Sequence, residues 1–74
     1  MGVQIIMDGT GDTRFEFDTR DRDAVAKAER RFRELTGSGF RAVAFLGNEG
    51  SGEVIRDFDP SVERTLFIPQ LRGG

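Results

Sequence analysis

The chain has 74 residues, 36% of them apolar and 32% charged, with a formal net charge of −2. That is one small domain with no room for a second. Cysteine and histidine are both missing, which excludes a disulfide framework, a thiolate metal site and the Ser/His and Cys/His nucleophile pairs. The usual general base and the commonest metal ligand go with them. Nothing approaches roughly 18 consecutive apolar residues, so no membrane span is expected. The start, Met1-Gly2-Val3-Gln4, lacks the basic region that opens a signal peptide. Arg and Asp are interspersed, so the charge balance does not point to nucleic acid. The expectation is a soluble, cytoplasmic domain that is not an enzyme and needs neither cofactor nor metal.

Residues 3–7 alternate weakly: Val3, Ile5 and Met7 share one face of a strand, Gln4 and Ile6 the other. Asp8-Gly9-Thr10-Gly11-Asp12 is a dense turn signal. Residues 13–18 then alternate cleanly, with Phe15 and Phe17 opposed to Arg14, Glu16 and Asp18. Two such runs around a glycine turn predict a β-hairpin.

The period changes after Asp21. Ala24, Val25, Ala28, Phe32 and Leu35 fall in one helical stripe of about 100° between Asp21 and Thr36. Thr19, Asp21 and Asp23 offer capping oxygens at its start. Arg30, Arg31 and Arg33 gather near its end, where the dipole favours cations, and Gly37 suits a left-handed residue after the helix. Lys27 is the one lysine among eleven basic residues. It lies about 100° around the helix from Ala28, so partial shielding is expected.

Phe40 to Leu46 is apolar on both faces except at Arg41, as suits a strand inside a sheet. Residues 47–52 read as a glycine-rich loop, and Glu53 to Arg56 as a short strand. Residues 57–61 read as a turn whose aspartates bond the backbone rather than a cation. Thr65-Leu66-Phe67-Ile68 is a last strand, closed by Pro69. The order ββαβ(β)β with one helix predicts a two-layer α+β domain over residues 1–69 and a flexible tail over 70–74.

Several residues carry a resemblance. Leu71-Arg72-Gly73-Gly74 matches the C-terminus of the ubiquitin family. Thr65-Leu66, Thr10-Gly11-Asp12-Thr13, Ala26-Lys27-Ala28 and Phe45-Leu46-Gly47 resemble its last strand, first hairpin, helix and third strand. The element order covers the whole chain. The resemblance implies a ubiquitin-like β-grasp, with four to five strands in a mixed sheet packed on one helix. It looks most like the bacterial ubiquitin-like modifiers encoded beside their own activating and conjugating enzymes.

In that family an adenylating enzyme activates the terminal carboxylate, a conjugating-enzyme thioester carries it, and a protein target receives it. A deubiquitinase-like peptidase can remove it. The resemblance therefore assigns conjugation to Gly74 and Gly73, and recognition by the activating enzyme to Arg72, Leu71 and Gln70. Glycine lets a second backbone approach closely, which suits a narrow active site. Arg72 brings a guanidinium fork for a carboxylate.

Two departures alter the expectation. The family's exposed first-turn leucine aligns with Gly9 and its exposed central isoleucine with Ala44, so its apolar receptor patch is expected to be largely absent. If Leu66 and Ile68 face the core, Phe67 is exposed beside Phe45 or Val43, and Phe67, Phe45 and Ala44 are the candidate partner patch; the alternative is that the chain itself covers Phe67. Pro69 before the tail resembles the prokaryotic sulfur carriers, whose terminal glycine becomes a thiocarboxylate. A non-covalent β-grasp module with a frayed Gly-Gly end is the third reading.

Overall fold

The computed structural model describes residues 1–9, 11–45 and 52–70. Its elements in chain order are β1 (Gly2–Asp8), β2 (Gly11–Phe17), α1 (Arg22–Gly37), β3 (Phe40–Phe45), β4 (Glu53–Ile55) and β5 (Arg64–Pro69). The strands form one five-stranded sheet in the order β2-β1-β5-β3-β4. Only β1 and β5 run parallel; the other pairs are antiparallel. One helix packed on a mixed sheet is the α+β, β-grasp arrangement expected from the element order. No described helix is long and apolar enough to cross a membrane.

Local chemistry explains the element ends. The hairpin is tighter than the turn signal suggests. Asp8 already pairs with Gly11, which takes φ +131°, a value that glycine tolerates at little cost. At the helix start Asp21 takes the cap, accepting from the N–H groups of Asp23 at 3.0 Å and Ala24 at 3.3 Å. The other end departs from expectation. The helix continues through Gly37, and the positive φ of +99° falls at Gly39. Ser38 caps this end, its N–H donating to the Leu35 carbonyl at 3.0 Å, and two hydroxyls add to it. Ser38 Oγ donates to the Glu34 carbonyl at 2.8 Å, and Thr36 Oγ1 to that of Phe32 at 2.9 Å. The last turn carries no basic residue, so the three arginines sit too early to meet the dipole there.

The core lies between α1 and one sheet face. Phe32 and Phe67 meet edge to face with centroids 5.6 Å apart, and Phe58 reaches Phe32 at 6.0 Å and Phe17 at 6.3 Å. Ala28 and Ala42 are buried, and such small side chains leave room for the rings. Residues 56–63 thus do more than turn the chain, since Phe58 packs against this cluster.

Gln4 is the polar exception, only 1% exposed on the helix side of β1. Its Nε2 donates to the Ala28 carbonyl at 3.0 Å, and its Oε1 accepts from Arg31 Nη1 at 2.8 Å. Arg31 in turn lies 3.8 Å over the Phe15 ring. Both ends of the buried amide are therefore satisfied.

Candidate functional site

β5 delivers the chain to the candidate tail. Pro69 pairs with Phe40, and the Gln70 N–H donates to the Gly39 carbonyl at 2.9 Å. Leu71, Arg72, Gly73 and Gly74 lie outside the described residues.

The partner patch expected from the sequence is not assembled. Phe67 is 0% exposed and Ala44 is buried beside it on the helix side. The cause is register. Phe67 pairs with Ile6 on one side and Ala42 on the other, and Ala44 with Thr65, all on the core face. Leu66 and Ile68 therefore face away from the helix. Of the three residues only Phe45 lies on the outer face, with the Arg64 guanidinium 5.0 Å over its ring.

That outer face carries an apolar stripe of its own, contrary to expectation. Ile5 pairs with Leu66, Leu66 with Val43, and Val43 with Val54, so four strands place one aliphatic row across the sheet. The outer position at the middle of β3 is Val43, one residue before Ala44. Ile68 and Met7 extend the row, each 39% exposed, and Val54 is 58% exposed. Gly52 closes over one end: a Cβ there would lie 2.5 Å from Val43 Cγ1 and 2.8 Å from the Phe45 ring. Cationic side chains flank the row. Arg14 pairs with Ile5 across β2 and β1, and Arg41 with Ile68 across β3 and β5. A groove of about 450 Å³ lined by Arg41, Val43, Val54, Ile68, Pro69 and Gln70 sits where the chain leaves the sheet. The alternation of two apolar sets along β3 and β5 was the signal for this face. Which set faced outward was not readable from it.

The remaining candidates carry less. Asp59 accepts from the Ser61 hydroxyl at 2.7 Å and the Ser61 N–H at 2.9 Å, and these bonds hold its carboxyl below the usual range. It is a turn former, and among the described residues no acidic cluster could hold a metal ion. Asp18 is lowered in the same way, by the Arg20 N–H at 2.9 Å and then its guanidinium at 3.2 Å. Arg33 is paired with Glu29 at 3.0 Å. Lys27 is exposed rather than shielded, in a row with Arg30 and Arg31.

Compared with known proteins, the chain matches no family model, no curated protein and no solved structure.

Proposed function

We propose that this chain is a ubiquitin-like protein modifier whose reactive group is the Gly74 carboxylate. The observation that carries the reading is Leu71-Arg72-Gly73-Gly74 directly downstream of β5, in a β-grasp arrangement. An adenylating enzyme supplies ATP. The carboxylate oxygen attacks the α-phosphorus, pyrophosphate leaves, and an acyl adenylate results. An enzyme thiolate then attacks the acyl carbon and AMP departs. A conjugating-enzyme thiolate attacks that thioester, releasing the first thiol, and a nucleophile on the target then takes the acyl group, releasing the second. The chain contributes no acid or base to these steps. Gly73 and Gly74 admit the tail to a narrow channel, Arg72 offers its fork, and Leu71 fills an apolar slot. The outer aliphatic row beside Gln70 gives the enzymes a surface to hold while the tail is engaged.

Deleting Gly74, or Gly73→Pro, is expected to leave the circular dichroism and melting point unchanged and to abolish conjugation. Proline removes an N–H and fixes φ in the channel. Intact mass spectrometry of the chain expressed with its neighbouring genes reads the outcome. An adduct joining Gly74 to a nucleophile on another protein supports the modifier. Replacement of one Gly74 oxygen by sulfur would instead make it a sulfur carrier, the reading that Pro69 favours. Full biological activity of the deletion variant would leave a non-covalent module.

A further inference from the structure

The two edges of the sheet are unequal. β4 presents three residues and β2 presents seven. β2 pairs with β1 alone, and no described strand lies beyond it. An open edge is a row of unpaired N–H and C=O groups ready to accept another strand. Proteins blunt such edges with charged side chains, lysine above all, with proline or with a very short strand. β2 is seven residues long with neither lysine nor proline, and its charges, Asp12, Arg14 and Glu16, are of both signs.

What β2 does have is a self-complementary charge pattern. Asp12, Arg14 and Glu16 alternate on the outer face, with Arg14 and Glu16 on either side of Phe15. Within the chain these two pair only loosely, at 3.9 Å, and their side chains stay 63% and 56% exposed. Both charges are available to a second strand.

We propose that β2 is a self-association edge: two copies pair antiparallel through Thr13–Phe17 about a two-fold axis at Phe15. Arg14 then lies opposite Glu16 of the second copy, and Glu16 opposite its Arg14, two opposite-charge cross-strand pairs from one contact. Charge and pairing length together choose the register. A two-fold at Arg14 would set arginine against arginine and Asp12 against Glu16. A two-fold at Glu16 would set glutamate against glutamate and pair only residues 15–17 of the strand, since its Arg14 partner, Asp18, lies beyond β2. A two-fold at Thr13 matches Arg14 with Asp12 but runs Gly11 against Phe15 and draws in the hairpin turn, so fewer residues pair. In the Phe15 register the half-buried Phe15 rings meet on the inner face, an aromatic cross-strand pair. Asp12 and Asp18 meet only at the ladder ends, where Arg20 already holds Asp18 at 3.2 Å. The result is one continuous sheet made from two five-stranded ones.

The contact is small, in the size class of weak transient interfaces, so a Kd on the order of 0.1–1 mM is expected. The test is sedimentation equilibrium up to about 2 mM on the wild type, Arg14→Glu, Glu16→Arg and an equimolar mixture of the two variants. The wild type should dimerise, and each variant alone should associate at least about tenfold more weakly. The mixture should recover association, because the Glu16→Arg chain offers two cations to the two carboxylates of the Arg14→Glu chain. Both side chains are exposed, so circular dichroism should stay native throughout. A wild type that remains monomeric across the range overturns the proposal. So does a mixture that fails to associate. Association kept by Glu16→Arg but lost by Ile68→Asp would also overturn it and move the contact to the outer sheet face.

Discussion

The two faces of the sheet are both largely apolar, yet only one is covered. Towards the helix lie Phe67, Ala42 and Ala44, with Gln4 buried among them. Away from it lie Ile5, Leu66, Val43, Val54 and Ile68, partly open. Hydropathy would rank these residues differently, since a glutamine is hidden while Val54 is 58% exposed. Burial here follows space and hydrogen bonding. Small side chains leave room for two rings, and the helix offers Gln4 a carbonyl. An aliphatic face left uncovered is available for recognition.

The sharpest test of that difference uses two neighbours in β5. Phe67→Asp should abolish folding, because it buries an unpaired charge against Phe32. Ile68→Asp, one residue on, should keep the native circular dichroism. The milder pair reads the same contrast in urea: Phe67→Ala should cost about 3–5 kcal/mol, and Ile68→Ala under about 1.5 kcal/mol. Equal losses would mean that the outer face is as tightly packed as the core.

The polar exception gives the next effect. Gln4→Ala removes the bond to Ala28 and frees Arg31, and should cost about 1–3 kcal/mol by denaturant unfolding. Val54→Ala, apolar but exposed, should stay within about 0.5 kcal/mol. A Val54 loss larger than the Gln4 loss would reverse the assignment of the two faces. Smaller still, Asp21→Ala removes the helix cap and should cost about 1 kcal/mol without altering either face.

The smallest effect is a pH dependence at the exposed turns. Asp18 and Asp59 have carboxyls held below the usual range by Arg20 and Ser61. A lowered native pKa stabilises the fold above the unfolded pKa, and that share is lost as pH falls through the native value. Melting points should therefore be flat near neutrality and decline below about pH 4. In Asp59→Asn the melting point at neutral pH should drop slightly and the acid decline should flatten. An unchanged acid decline would remove Asp59 from the account.

Much of the scaffold was legible in the residues themselves. The five apolar positions of α1, the Asp21 cap and the clean alternation around Phe15 and Phe17 are local signals, and each marks its element. Gly37 was one of two nearby glycines: the helix runs through it to the Ser38 cap, and Gly39 is the positive-φ residue that follows. The candidate site divided in the same way. Leu71-Arg72-Gly73-Gly74 is a motif legible in the sequence and lies outside the described residues. On the outer face Val43 and Phe45 lie on the side away from the helix, while Phe67 and Ala44, offered for a partner patch, are buried.

Local residue patterns carry the elements, their order and the alternation of two apolar sets along β3 and β5. Packing in three dimensions settles which set faces the helix. Alternation has a period of two and is blind to which side is which. The choice depends on the shape of what packs above. Phe32 and Phe58 come from elsewhere in the chain, and the small Ala42 beside Phe67 leaves room for its ring. Leu66 and Ile68 were turned outward as a consequence.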